Sequence, residues 1–158
     1  MYERYQHDVV GVNSRLDSLQ AVVLNEKLKL LDYYNERRKW AAIRYSQLLS
    51  GHDNIIIPEV IRNCDSHVFH QYTLRLIDSD RDALVQHLQS NGIPCGVYYP
   101  IALHAQKAYH SDKYDESNFT VTNQLVKEVI SLPMHSELDE EQIQIICRVV
   151  LDFFGIKR

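Results

Sequence analysis

Two short segments of the chain combine residue types that could bind an anion or a polar ligand. The first, residues 11–17, reads GVNSRLD and stands directly before a long amphipathic pattern. Its glycine allows a ligand to approach the backbone, and the start of a helix offers unpaired N–H groups to an anion. Asn13 and Arg15 would add amide and guanidinium donors to a phosphate. The same residues also suit a routine capped helix start, so both interpretations stay open.

The second segment, residues 97–106, reads VYYPIALHAQ. A strand that runs into a proline turn at this point would present Tyr99 and His104 beyond its end. Phenol and imidazole rings on such a loop suit stacking and hydrogen bonding in a pocket. A tyrosine-rich surface turn explains the same residues, and the pattern does not choose between the two.

Metal sites and nucleophilic catalysis are poorly supported by the sequence. His67 and His70 are three residues apart in a predicted strand, where their side chains would point to opposite faces. Cys64, Cys95 and Cys147 form no C-x-x-C pair, which argues against a zinc ribbon or a disulfide framework. The chain contains no P-loop and no G-x-S-x-G motif. We therefore expect no metal site.

The composition is that of one soluble domain. The chain has 158 residues, a formal net charge of −4, and 45% hydrophobic against 24% charged residues, which is enough apolar material for a core. Lysine and arginine are scattered, so no nucleic-acid partner is expected. No stretch approaches the roughly 18 apolar residues of a membrane span, and the N-terminus lacks an apolar signal core. These features predict a cytoplasmic chain without a membrane partner.

A long helix is predicted in the first third of the chain. Apolar residues recur on one face from Leu16 to Leu48, and Ser14 is the expected N-cap with Asp17 as its capping-box partner. A helix of ~35 residues would be ~50 Å long, too long for a small domain to cover. We therefore expect a break near Asp32, or cover of part of the helix by another domain.

Beyond residue 50 the pattern changes to short strands and helices. Gly96 is expected to mark a bulge or a close approach, and Asp139 with Gln142 forms a capping-box pattern. Asp80 is the expected cap of a helix that stops at Asn91 and Gly92. The predicted strands are residues 55–57, 68–77 and 93–99. The predicted helices are residues 81–91, 121–129 and 140–154, and residues 131–133 are expected to close the second of these helices.

This order of elements predicts an α+β fold, with helices packed on one face of a small antiparallel or mixed sheet. We expect a single domain, residues 1–158. Within it, residues 1–50 form an N-terminal arm and a long connecting helix, and residues 51–158 form the α+β part.

Four ordered segments together resemble the DegT/DnrJ/StrS-type nucleotide-sugar aminotransferases. Residues 11–21 resemble the family signature G-x-N-x-R-[LM]-D-x-[LI]-Q-A. Residues 69–75 resemble its H-x-Y-x-x-R strand, and residues 131–138 resemble its S-L-P-x-H-x-x-L segment. Residues 99–106 resemble its Y-P-x-P-L-H-x-Q loop, with Ala102 in place of the usual second proline.

The resemblance implies the C-terminal small domain of a fold-type-I aminotransferase that uses pyridoxal 5′-phosphate and acts as a homodimer, with active sites between subunits. It implies that Asn13 reaches the cofactor of the neighbouring subunit. It also implies that Arg15, Tyr99 and His104 line the pocket for a nucleotide-diphosphate sugar, with His70 near it.

The large domain of the family, which carries the Schiff-base lysine and most of the phosphate cradle, has no counterpart in this chain. Residues 111–113, Ser-Asp-Lys, are similar to the family's lysine context but stand in the wrong order, so Lys113 is expected to be a surface lysine. No catalytic residue is therefore assigned. The chain alone is expected to be inactive and not to retain the cofactor.

Three functions follow from the resemblance. The first is transfer of an amino group, from glutamate, to a nucleotide-linked keto-sugar in cell-surface polysaccharide or secondary-metabolite biosynthesis. The second is a dehydratase relative, in which histidine replaces the Schiff-base lysine. The third is a truncated dimerisation module without catalysis. The residue that distinguishes the first two lies outside this chain.

Overall fold

A three-stranded antiparallel sheet, in the order β1-β2-β3, organises the fold. The computed structural model describes residues 5–61, 64 and 66–156. The strands are β1 (Ile55–Ile56), β2 (Tyr72–Leu76) and β3 (Val129–Leu132), and the helices are α1 (Ser18–Leu28), α2 (Leu31–Leu49), α3 (Arg81–Ser90), α4 (Thr120–Glu128) and α5 (Glu140–Phe153). Three 3₁₀ turns, Leu103–Ala105, Lys107–Tyr109 and Glu116–Asn118, lie between α3 and α4. The prediction of an α+β fold is confirmed.

The core lies between the sheet and helices α2, α3 and α5. In β2, Tyr72, Leu74 and Leu76 are buried and the residues between them are half-buried, as expected where alternate side chains of a strand face opposite sides. Tyr72 pairs with Leu132 and Leu74 with Ile130 of β3. This register aligns the buried side chains of both strands in one core.

The long N-terminal helix is divided into two, close to where a break was expected. Lys29 and Leu30 separate α1 from α2. The predicted cap, however, is wrong: α1 begins at Ser18, and Asp17 rather than Ser14 is its N-cap. The Asp17 carboxylate accepts the Gln20 N–H at 2.8 Å. Asp17 stands directly before the first helical residue, and from there a carboxylate can bond a free N–H of the first turn.

The predicted strands are longer than those observed. The segment 68–77 is a strand only over Tyr72–Leu76, since the backbone at Phe69 has a positive φ of 48°, which ends an extended run. In the segment 93–99 only Gly96 forms a bridge, with Ser131. Gly96 does make a close approach, since the Tyr98 ring occupies the space that a Cβ would need.

Residues 129–132 were expected to end and close a helix, and this is wrong. Val129–Leu132 form β3, the partner of β2. The tertiary pairing with β2 accounts for the difference, because a short, mostly apolar segment such as VISL suits a buried strand as well as a helix end.

The other two helices begin where the sequence indicates. The Asp80 carboxylate caps α3 by accepting the Ala83 N–H at 3.0 Å. Asp139 and Gln142 form both hydrogen bonds of a capping box at the start of α5. Among the described residues, no helix is long and apolar enough to cross a membrane.

Candidate functional site

The loop after α3 encloses a cavity of about 770 Å³, here called the loop cavity. Its walls come from the N-terminal arm at Tyr5 and His7, from the loop at residues 99–106, and from the start of α4 at residues 119–126. Among the described residues that line it, none is a lysine, arginine, aspartate or glutamate. This part of the lining is thus aromatic and uncharged, with imidazole, phenol and amide groups as polar contacts.

Gln106 holds the N-terminal arm against the loop. Its side chain is only 6% exposed, its Oε1 accepts the His7 N–H at 3.0 Å, and its Nε2 donates to the Tyr5 carbonyl at 2.8 Å. The Ala108 N–H donates to the His7 carbonyl at 3.0 Å. The Gln106 side-chain amide therefore pairs one backbone N–H and one backbone carbonyl of the arm, as a neighbouring strand would. Gln106 was not among the predicted site residues; its place in the L-H-x-Q segment was the only signal, and its partners lie about a hundred residues away in sequence.

Three tyrosine rings meet at the rim of the loop cavity. Tyr5 contacts Tyr98 and Tyr99 edge to face, with ring centroids 6.3 and 5.7 Å apart. Tyr99 itself is 62% exposed. This arrangement leaves one face of an aromatic ring open to a planar or sugar-like ligand.

His104 is fixed inside the loop cavity by contacts from α4 and the turn before it. Its ring stacks on Phe119 with centroids 4.2 Å apart and an interplanar angle of 14°. Its Nε2 lies 2.7 Å from Oδ1 of Asn123. Tyr99 and His104, which the sequence singled out together, therefore do line one cavity.

His70 lies in a different cleft. This cleft has a volume of about 360 Å³ and is also lined by Cys95, Tyr98 and His135. Tyr98 lines this cleft and contacts Tyr99 with ring centroids 6.0 Å apart, so the two cavities are neighbours. A role for His70 near a sugar pocket stays a prediction.

Asn13 and Arg15 lie in an exposed, irregular segment before α1. Neither residue lines the loop cavity or the His70 cleft. The expectation that they stand at a free helix start is wrong, because α1 begins at Ser18 and the Asp17 carboxylate already accepts an N–H of its first turn. Any contact they make with a phosphate must therefore come from their own side chains.

Two of the recognised segments serve the fold. In the H-x-Y-x-x-R strand, the Tyr72 hydroxyl lies 2.9 Å from the Ser46 hydroxyl, and burial raises the pKa of Tyr72 to about 12. Arg75 binds Glu128, and this bond holds the pKa of the Glu128 carboxyl below its ordinary value. In the S-L-P-x-H-x-x-L segment, the Pro133 carbonyl accepts the buried Tyr45 hydroxyl at 3.0 Å. These residues position the site without lining the loop cavity.

The first helix is uncovered. None of the residues of α1 is buried, although its sequence is largely apolar. Leu16, just before it, is exposed as well. An exposed apolar surface of this kind is typical of a contact with another protein surface, and here it adjoins Asn13 and Arg15.

Residues 1–151 match the sequence model of the DegT/DnrJ/EryC1/StrS aminotransferase family. The chain belongs to this family. The match covers nearly the whole chain. The matched region therefore includes the loop cavity, the uncovered helix, and the segment with Asn13 and Arg15. The family implies pyridoxal phosphate as the cofactor of the proteins that contain this region.

The DegT/DnrJ/EryC1/StrS relatives are substantially longer than this chain. It is 39% identical over 153 residues to a pleiotropic regulatory protein of Geobacillus stearothermophilus, covering 96% of this chain and 40% of the relative. It is 41% identical over 149 residues to a UDP-N-acetyl-3-dehydro-alpha-D-glucosamine 3-aminotransferase of Acidithiobacillus ferrooxidans, covering 94% and 39%. The chain thus spans about two fifths of these relatives.

A solved structure shows the same fold. The crystal structure of DesV from S. venezuelae superposes with a TM-score of 0.83 and 31% identity, over 100% of this chain and 42% of that one. The small domain described above is therefore one part of a larger architecture in that protein.

The two clefts that contain the predicted site residues offer few of the groups that hold pyridoxal phosphate. The described linings of the loop cavity and the His70 cleft include no lysine or carboxylate, whereas a transaminase holds the aldehyde of this cofactor on a lysine. Lys113 is exposed in a turn, where its N–H donates to the Ser111 hydroxyl at 3.3 Å. The residues present fit the edge of such a site only.

Proposed function

We propose that this chain is the C-terminal part of a pyridoxal-phosphate-dependent transaminase that moves an amino group, from glutamate, to a nucleotide-linked keto-sugar. Membership of the DegT/DnrJ/EryC1/StrS family and the activity that the A. ferrooxidans relative is named for support this proposal. The loop cavity carries it, because a neutral cavity with an exposed tyrosine and an anchored imidazole suits a sugar with its base or ring stacked on the phenol.

The charged part of the substrate is assigned to another segment. The described residues that line the loop cavity include no lysine or arginine, so none of them offers a positive charge to a diphosphate. Arg15 is an exposed guanidinium next to the uncovered α1 and can bind phosphate oxygens in a bidentate manner. In a homodimer that covers α1, Arg15 and Asn13 would be brought to the neighbouring subunit. In this proposal, Arg15 binds the diphosphate of the substrate and Asn13 binds the phosphate of the cofactor.

The cofactor, when bound, supplies the electron sink that amino-group transfer requires. Its lysine and its phosphate cradle belong to a part of the protein outside this chain. The 158 residues alone are therefore inactive and do not retain the cofactor. What this chain contributes is the binding and orientation of the sugar nucleotide and the exclusion of water from it.

The decisive experiment starts from the complete reading frame that contains this chain. The encoded protein is purified with pyridoxal phosphate and assayed for glutamate-dependent amination of a UDP-linked 3-keto-sugar. Amination, together with a lysine in the family's Schiff-base position, supports the proposal. A histidine in that position with loss of a sugar hydroxyl indicates the dehydratase. A reading frame with no large domain, and no partner that supplies one, leaves a non-catalytic module and overturns the proposal.

A further inference from the structure

The two ring nitrogens of His104 have different environments, and Asn123 decides which one carries the proton. The Asn123 amide is oriented by its own bond, since its Nδ2 donates to the Glu116 carbonyl at 2.9 Å. Its Oδ1 consequently faces Nε2 of His104 at 2.7 Å. An amide oxygen only accepts, so Nε2 of the imidazole must be the donor.

The imidazole is also held on its face and at its backbone. Phe119 stacks on the ring at 4.2 Å, and the Tyr114 hydroxyl, which donates to the Tyr109 carbonyl, lies 3.4 Å from the His104 carbonyl. A half-turn of the ring about its Cβ–Cγ bond would keep the stack on Phe119 but would remove Nε2 from Asn123 and break that bond. Among the described residues, Nδ1 of His104 makes no hydrogen bond.

The geometry points to Asn123 as a positioning residue for the substrate, which fixes His104 in the Nε2–H form and so makes Nδ1 a hydrogen-bond acceptor for the occupant of the loop cavity. A neutral imidazole in this form accepts from a hydroxyl or an N–H and repels an anionic phosphate oxygen. The lining residues that the structure describes, none of which is a lysine or arginine, agree with this.

This inference rests on the proposed function and makes it more specific. His104 accepts from a hydroxyl of the sugar and does not donate to the diphosphate. Asn123 acts only through His104, and it selects occupants that offer a donor at that point. A site with a fixed acceptor rejects an analogue that lacks the matching donor, because the acceptor is then left unpaired.

The tautomer is measured directly by nitrogen NMR of the histidine-labelled 158-residue chain. Spectra are recorded near pH 9, above the ordinary histidine pKa of about 6.5, and the His104 signals are assigned by their loss in His104→Phe. In the unmodified chain, Nδ1 should show the shift of an unprotonated nitrogen and Nε2 that of a protonated one. The opposite assignment, or signals averaged between the two forms, overturns the inference without the use of any Asn123 variant.

Two variants of Asn123 and one matched control test its role. Asn123→Ala removes the acceptor and should give averaged signals. Asn123→Asp keeps an oxygen beside Nε2 and should restore the Nε2–H form. Gln124→Ala, which removes the neighbouring amide of α4 and its bond to Glu128, should leave the His104 signals unchanged. An unchanged tautomer in Asn123→Ala shows that Asn123 does not fix the ring.

The substrate role is tested by binding in the complete protein, with UDP-N-acetylglucosamine and UDP as probes. Asn123→Ala should weaken binding of the sugar nucleotide about threefold to tenfold, the loss of one hydrogen bond, and leave UDP unchanged. Equal weakening of both probes, or of neither, overturns the assignment to a sugar hydroxyl. If the unmodified protein binds neither these probes nor their dTDP counterparts, the proposed function fails, whereas the tautomer assignment still depends on the NMR result alone.

Discussion

Helices α1 and α5 have similar lengths and apolar contents but opposite environments. α5 buries five of its fourteen residues, namely Ile143, Ile146, Cys147, Val150 and Leu151. None of the eleven residues of α1 is buried. The spacing of the apolar residues differs: those of α5 recur every three or four positions, whereas Leu19, Val22, Val23 and Leu24 of α1 point around the helix, because successive residues are 100° apart. A helix that is apolar on all sides requires cover from outside the small domain.

The largest expected effect is the difference in unfolding free energy between truncating a buried side chain of α5 and truncating an exposed side chain of α1. Ile143 is 0% exposed and Leu19 is 82% exposed. Ile143→Ala should lower the free energy of unfolding by about 2–5 kcal/mol, since it leaves a cavity. Leu19→Ala should change it by less than about 0.5 kcal/mol. Urea unfolding of the 158-residue chain gives both values, and equal losses would show that α1 is already covered within the chain.

The next largest effect is expected from variants of Asn13, which lies just before α1, and of His104, which lines the loop cavity. In the complete protein, Asn13→Ala should release the cofactor more easily by roughly tenfold or more, because a hydrogen bond to a charged group contributes about 1.5–3 kcal/mol. His104→Ala should instead lower kcat/KM for the sugar nucleotide. Cofactor dissociation and steady-state kinetics are measured for both variants. The role assignment is wrong if Asn13→Ala retains the cofactor normally, or if His104→Ala loses it.

Self-association through α1 should be a smaller effect, visible in the isolated chain. Leu24 is 51% exposed, and Leu24→Glu should raise the dissociation constant of the dimer about tenfold or more, since burying a leucine contributes about 1.5–3 kcal/mol. Val121→Glu, at an exposed position of α4, serves as the control. Sedimentation equilibrium distinguishes them, and a compact monomer in the unmodified chain contradicts this expectation.

The smallest effect is the pH dependence of the ion pair that ties α5 to α2. Arg44 Nε donates to Glu140 at 2.7 Å, and this bond lowers the pKa of the Glu140 carboxyl. Its stabilising contribution is therefore complete above the ordinary glutamate pKa of about 4.3 and disappears as the pH falls through the lowered pKa of the folded state. Glu140→Gln should be slightly less stable than the unmodified chain at pH 7 and equally stable near pH 2. Urea unfolding at both values measures the difference, and a constant difference would exclude the ion pair as its cause.

Local signals in the sequence were sufficient where they acted within a few residues. Asp80 and the pair Asp139 and Gln142 mark helix starts because each carboxylate bonds an N–H three residues away. The same logic chose Ser14 over Asp17 for α1, since both residues can cap and only the folded backbone shows which one does. The strand at residues 129–132 was missed, because its partner β2 is more than fifty residues away.

The sequence by itself determined the family, the α+β class and the segment that carries Tyr99 and His104, since motifs and short-range periodicity are properties of neighbouring residues. Only the tertiary structure showed that Gln106 docks the N-terminal arm, that His70 lies in a separate cleft and that Asn123 orients His104. Each of these depends on which distant segment the chain brings into contact. The physical reason is that a hydrogen bond or a cavity wall needs two groups at a fixed distance. The order of residues sets this distance only for groups that are close in sequence, and folding sets it for all others.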